Sequence, residues 1–251
     1  SRHLGSREMA RFTALLFLAS GKGLGEASSE RTFQAFENLQ VSSPLELKVT
    51  VDESITFPEL SINADEQALG WMVSTNVFRT AFGATLFLGM DARASAQGGT
   101  WSGTSGHAEL TVPKALQSIS ADNAKVIADV ATGDLAASGN ASLVVSKMDG
   151  ANSVRSFLFR ASSGAQISVA GGCLQRALLQ ASGDSEVDLE NVSIQRAEIE
   201  VMRSTVAVNA SQEVDITCFG GQVRVLGNAT VTENIQGCIA KADTEIPVII
   251  P

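Results

Sequence analysis

A nine-residue pattern recurs without gaps in the second half of the chain, and it limits the folds open to this sequence. Its three clearest copies are Ala137-Ser138-Gly139-Asn140-Ala141-Ser142-Leu143-Val144-Val145, Ala161-Ser162-Ser163-Gly164-Ala165-Gln166-Ile167-Ser168-Val169 and Ala181-Ser182-Gly183-Asp184-Ser185-Glu186-Val187-Asp188-Leu189. Each is a small, polar, glycine-bearing turn followed by alternating apolar residues, the mark of a half-buried strand. Weaker copies put Val126 before them and Val206 and Val223 after them, with steps of 17, 24, 20, 19 and 17 residues from Val126 to Val223. A second apolar stretch precedes most turns, as in Ser156-Phe157-Leu158-Phe159-Arg160, Arg176-Ala177-Leu178-Leu179-Gln180 and Arg196-Ala197-Glu198-Ile199-Glu200. Each unit therefore reads strand, turn, strand, connection.

One such unit cannot bury its apolar face alone, whereas stacked units share a core and pair their backbones from coil to coil. The expected fold is all-β, a parallel solenoid in which Val126, Leu143, Ile167, Val187, Val206 and Val223 form one apolar column. Glycine at the turns supplies backbone conformations that other residues resist, and Ala and Ser let corners stack at roughly the 4.8 Å strand spacing. An antiparallel sandwich also has turns every 8 to 12 residues or so, but it has no reason to repeat the turn sequence itself. Residues 31–112 alternate too, most cleanly in Leu45-Glu46-Leu47-Lys48-Val49-Thr50-Val51, without the Ser-Gly repeat. They are expected to form an N-terminal β layer continuous with the solenoid. Residues 97–106 read as a Gly- and Ser-rich loop.

Composition agrees with thin stacked layers. Hydrophobic residues make up 44% of the 251 and aromatics 5%, with no Tyr, so the core is one of small and aliphatic side chains. The net charge of −9, with 18 scattered Lys and Arg, excludes a nucleic-acid surface, which needs clustered basic residues. Near the start, Met9-Ala10-Arg11, an apolar run from Phe12 to Ala19 and Gly25-Glu26-Ala27 before Ser28 read as an export signal. Residues 1–29 are thus expected to be extra residues plus a signal peptide, 30–245 a single domain and 246–251 a short tail. No run reaches the ~18 apolar residues of a membrane-spanning helix.

The residues that carry this organisation also carry a resemblance. Glu30-Arg31-Thr32-Phe33-Gln34-Ala35-Phe36-Glu37-Asn38-Leu39, the following strand to Val51, Leu110-Thr111-Val112-Pro113-Lys114-Ala115-Leu116-Gln117-Ser118-Ile119 and the repeated Ala-Ser-Gly strands resemble the putative auto-transporter adhesin head domain, also called the head GIN domain. The resemblance covers most of residues 30–243. It implies an exported right-handed parallel β-helix, and it carries over no functional residue.

The sequence offers little to catalysis. Cys173, Cys218 and Cys238 form no C-x-x-C pair and lie far from His3 and His107, so no zinc site is expected. Cys218 and Cys238, 20 residues apart, either stack on adjacent coils and pair in an oxidising compartment or stay as buried thiols. Glu186, Asp188 and Glu190 line one strand face with Glu198 and Glu200 on a neighbouring strand, a row that reads as a solvated acidic face before it reads as a calcium or acid-base site. His107 has no G-x-S-x-G partner and reads as a surface loop residue. Gly21-Lys22-Gly23-Leu24-Gly25 lacks the ending of a phosphate loop. Asn140, Asn191, Asn209 and Asn228 begin glycosylation-type triplets, with Asn140 best placed in a turn.

The expectation is a non-catalytic secreted, periplasmic or cell-surface protein, adhesin-like, with no cofactor, no catalytic residue and no metal ligand. Its outward rows would meet a polysaccharide or a surface protein. The competing reading, a polysaccharide-cleaving β-helix enzyme, lacks the exposed aromatics and charge-stabilising groups such grooves use.

Overall fold

A computed structural model describes residues 26–42, 45–65, 74–80, 83–89 and 106–242. The residues read as an export signal up to Gly25, most of the 97–106 loop and the tail 246–251 lie outside them. Within the described residues the chain is all strand with no helix, coiled into a β-solenoid of about six turns. No helix there is long and apolar enough to cross a membrane.

The repeated unit becomes one coil, and its alternation decides which residues enter the core. Strands β9 (Lys125–Ser138), β10 (Ser142–Gly150), β12 (Gln166–Val169) and β14 (Glu186–Leu226) stack in parallel. The register runs Val126 to Leu143 to Ile167 to Val187, the column expected from the repeat. Thr205 N donates to Ser185 O at 3.0 Å, which sets Val206 above Val187 by the same parallel pattern, and Val223 pairs with Ala240 of β15 (Thr230–Ala242). All six members are buried, at 0–2% exposure. Each contributes about 1.5–3 kcal/mol by leaving water.

A second column lies on another side of the coil. It climbs from Leu39 on β2 (Asn38–Ser42) through Ile119 on β8 (Leu116–Asp122), Leu135, Phe159 on β11 (Ser156–Ser162) and Leu179 on β13 (Gly172–Ser182) to Ile199. A third, shorter stack joins Ala131, Met148, Gly172 and Val192. The three sides enclose one hydrophobic core.

The corners explain the repeated Ser-Gly. Ser163 and Gly164 have φ of 59° and 81°, and Gly183 and Asp184 have 68° and 61°, so each of these two turns takes two left-handed residues in a row. Glycine takes one of each pair without a steric penalty. The corners also pair: Gly164 N donates to Gly183 O at 2.8 Å and Asp184 N to Arg203 O at 2.7 Å. Beside them Ser185 and Ser204 are buried and satisfied. Ser185 Oγ accepts from Ser182 N and donates to Ala161 O, while Ser204 Oγ accepts from Ser185 N and donates to Met202 O.

The N-terminal layer is continuous with the solenoid, but its spatial order departs from its order in the chain. Strand β2 is sandwiched between β6 (Gly83–Gly89) and β8, and β3 (Leu45–Val51) between β7 (Gly106–Val112) and β9, all in parallel. The first coil in sequence is thus flanked on both sides by later chain. Beyond it β4 (Glu59–Asp65) runs antiparallel to β7, β1 (Glu26–Thr32) antiparallel to β4, and β5 (Ser74–Thr80) antiparallel to β6. These antiparallel strands cover an edge that a parallel stack would leave open to further pairing.

Candidate functional site

The side of the solenoid bearing Leu39 to Ile199 alternates outward residues with its core column, and these line up rung by rung. One outward column reads Gln40, Ser120, Ala136, Arg160, Gln180 and Glu200, each in register with the next. Five rung spacings of ~4.8 Å make it roughly 24 Å long. Two concavities lie on this same side, one toward each end.

The first encloses about 470 Å³ and is lined by Asn38, Gln40, Gln117, Ser120, Asp134 and Arg155 among others. Its charged groups are held in place. Asp134 Oδ1 accepts from Leu158 N at 3.0 Å. Arg155 Nη2 donates to Thr132 O at 3.2 Å, and its guanidinium lies 5.0 Å from the centroid of the Phe157 ring, a cation-π contact.

The second encloses about 350 Å³ and joins polar and apolar groups. Arg160 Nε and Nη2 donate to Gln180 Oε1 at 3.0 and 2.8 Å, and Gln180 Nε2 donates to Glu200 Oε2 at 2.8 Å. Three consecutive coils thus carry one hydrogen-bonded ladder, cation at one end and carboxylate at the other. Beside it Met202 and Phe219 are 55% and 43% exposed, and Thr217, Ser162 and Ser182 complete the wall.

The acidic residues singled out in the sequence do not converge into one row. Glu186 and Asp188 lie on the side that carries Val187, in register with Gln166 and Ser168, whereas Glu198 and Glu200 lie on the ladder side, in register with Leu178 and Gln180. The chain turns two corners between them. Asp188 Oδ1 accepts from Glu190 N, and Glu190 Oε1 accepts from Arg224 Nη1 at 2.8 Å, so that row is engaged with its own neighbours. Among the described residues no group of three His, Cys, Asp or Glu is placed to hold a metal ion. His107 is exposed, its Nδ1 3.8 Å from Glu46 Oε2, and Lys125 Nζ approaches Glu46 Oε1 at 3.1 Å. Asn140 is exposed in its turn.

Cys218 and Cys238 form a disulfide between adjacent coils, which settles the alternative left open by their spacing. Cys173 is an exposed free thiol.

The ladder and its apolar neighbours were not singled out by sequence reasoning, although a signal existed. In Phe159-Arg160-Ala161-Ser162, Leu179-Gln180-Ala181-Ser182 and Ile199-Glu200-Val201-Met202, the ladder residue holds the same offset from its turn in three successive repeats. Aligning the outward positions of the strand before the turn, as well as those after it, puts Arg160, Gln180 and Glu200 in one column.

The architecture has known counterparts. The family described as putative auto-transporter adhesin, head GIN domain, matches residues 35–229. The chain belongs to this family. Among curated protein sequences none matches the chain. Solved structures share the head GIN fold at low identity. A putative adhesin from Parabacteroides merdae superimposes with a TM-score of 0.64 and 16% identity, over 89% of this chain and 98% of that one. One from Bacteroides fragilis gives 0.61 and 15%, over 88% and 95%. A putative lipid binding protein from Parabacteroides distasonis gives 0.58 and 15%, over 90% and 97%. At such identities the likeness is one of fold.

Proposed function

We propose that this head GIN protein is an exported, non-catalytic interaction protein that binds an extended partner, a polysaccharide or a surface protein, along its ladder side. The observation that carries the reading is that both concavities lie on one side of the solenoid, joined by the continuous outward column from Gln40 to Glu200. A rigid parallel stack offers such a partner recognition groups at fixed intervals, so little ordering entropy is lost on the protein side. Adhesin descriptions of the family and of the neighbouring structures support the same class. Export is supported by the Cys218–Cys238 disulfide, since disulfides persist mainly in oxidising compartments. Mature protein isolated from its source would then begin close to Ser28, which N-terminal sequencing checks.

A pair of blocking variants tests the binding side. Ser182→Arg puts a long charged side chain into the second concavity beside the ladder, and Ser168→Arg puts the same group on the side of Glu186 and Asp188. Binding to immobilised polysaccharides and surface-protein extracts should fall at least tenfold in Ser182→Arg and stay unchanged in Ser168→Arg. Equal loss in both, or loss in Ser168→Arg alone, would reject the assignment of this side.

A further inference from the structure

We infer that the second concavity is a subsite for a neutral oligosaccharide, with Phe219 as the stacking platform and Arg160, Gln180 and Glu200 as the hydroxyl-reading ladder. The inference rests on the reading of this side as the binding side and adds a ligand class and a location.

Sugar rings present two chemistries at once, and the site offers a match for each. Their faces carry patches of C–H that pack on apolar and aromatic surfaces. Their edges carry adjacent hydroxyls, each a donor and an acceptor. Phe219 and Met202 supply exposed apolar surface in a chain with no Tyr and few aromatics, and they line the same concavity as the ladder. Singly exposed apolar residues need no explanation, but two that share a concavity with a satisfied polar network do.

The ladder is suited to hydroxyls in particular. Arg160 spends one N–H from Nε and one from Nη2 on Gln180, leaving three of its five donors. Gln180 uses both ends, accepting from Arg160 and donating to Glu200. Glu200 keeps Oε1 as a free acceptor after Oε2 takes the Gln180 bond. A donor-rich end and an acceptor end, fixed by the amide between them, present complementary groups to a run of hydroxyls. Because the three side chains are already held by one another, binding does not have to freeze three long rotamer-rich chains.

Charge selects the neutral class. Arg160 and Glu200 balance within the ladder, and Phe219, Met202, Thr217, Ser162 and Ser182 carry no charge, so the concavity has no net charge to offer a uronic acid or a cationic sugar. The chain as a whole is acidic, at −9, which further disfavours anionic glycans.

Calorimetric titration of the full chain with cellohexaose, laminarihexaose, mannohexaose and chitohexaose tests this, with hexagalacturonate and phosphatidylcholine vesicles as acidic and apolar comparisons. At least one neutral hexasaccharide should bind saturably. Phe219→Ala and Gln180→Ala should each weaken it tenfold or more, Phe219→Trp should retain it, and the melting temperature of Phe219→Ala should match the parent. The subsite is overturned if none of the four neutral sugars binds at millimolar concentration, or if Phe219→Ala and Gln180→Ala bind like the parent. Loss on Gln40→Ala with Phe219→Ala intact would overturn the subsite while leaving the side as the binding side. Binding only of hexagalacturonate or vesicles, abolished by Phe219→Ala, would likewise reject the neutral sugar alone. The broader reading of this side is removed instead by insensitivity of all surface binding to Ser182→Arg, or by a loss in Ser168→Arg that equals or exceeds it.

Discussion

Cys218 and Cys238 are joined across adjacent coils without being stacked on each other: Cys218 is in register with Ile235, and Cys238 with Gly221, three residues further along. The bond therefore runs diagonally and ties the last coil to the one beneath it. The Cα atoms are 6.1 Å apart, within the ordinary range for a disulfide. Gly221 sits closely over the backbone of Ser204 at this corner, so the rung below Cys238 is fixed as well.

Closing a loop of 20 residues restricts the unfolded chain, a contribution of about 3 kcal/mol in the loop-entropy description. Cys218→Ser with Cys238→Ser should lower the denaturation midpoint accordingly and remove hydrogen-exchange protection from β15 before it affects β10 to β13. Unchanged protection in β15 would show that the parallel pairing alone holds the last coil.

Val187 tests the first core column. It is fully buried between Ile167 and Val206, and an aspartate there would place an unpaired charge in the core at a cost of several kcal/mol. Val187→Asp should fail to fold, and Val187→Ala should cost about 2 kcal/mol through lost burial and a residual cavity. Ser168→Ala, an outward substitution one coil away, should stay within about 0.5 kcal/mol of the parent. Urea denaturation of Val187→Ala and Ser168→Ala, with the circular dichroism of Val187→Asp, reads this directly; equal effects at Val187 and Ser168 would contradict the inward and outward assignment.

This column was legible in the sequence because the turn and the strand after it repeat together, so one alignment gives both the coil and its inward positions. The spatial order of β6, β2 and β8 was not. Parallel pairing of Leu39 with both Leu86 and Ile119 depends on a chain that passes beyond its first coil and returns, and no local pattern of apolar residues records that excursion. The ladder was half legible: alternation makes Arg160, Gln180 and Glu200 outward, but their alignment requires the loose period of the preceding strand. The role of Phe219 was hidden for a different reason. Alternation from Val214 through Ile216 and Cys218 does turn it outward, but nothing local to Phe219 marks that it lies beside Met202 of the coil below and lines a concavity with the ladder.

Arg203 marks a turn that departs from the Ser-Gly pattern. Its φ of 52° puts a residue with a β-carbon in the left-handed region, at the place that Gly183 holds in the coil before it and Ser163 in the one before that. Such a conformation costs a non-glycine residue roughly 1–2 kcal/mol, partly offset by the greater freedom that glycine has in the unfolded chain. Arg203→Gly should therefore raise stability by about 1 kcal/mol, and Arg203→Val, branched at Cβ, should lower it. Denaturant midpoints at constant slope decide the point, and a lower midpoint for Arg203→Gly would mean that the arginine side chain contributes more than its backbone costs.

Catalysis in the concavities would require acidic groups close enough to act together, and the carboxylates that line them, Asp134 and Glu200, lie far apart. Asp134 and Glu200 belong to different concavities and are separated by three coils, roughly 14 Å along the stack at ~4.8 Å per rung, beyond the ~6.5–9.5 Å span of an inverting carboxyl pair. Each also has an oxygen committed to a neighbour, Asp134 to Leu158 N and Glu200 to Gln180 Nε2. On the other side Asp188 and Glu190 are engaged with Glu190 N and Arg224. The expected outcome is no turnover of pectin, alginate, chondroitin or the neutral hexasaccharides, with or without Ca²⁺, measured as unsaturated products and reducing ends. Reproducible cleavage that disappears in Asp134→Asn, or in Glu186→Gln with Asp188→Asn, would identify the corresponding carboxylates as catalytic and overturn the non-catalytic reading.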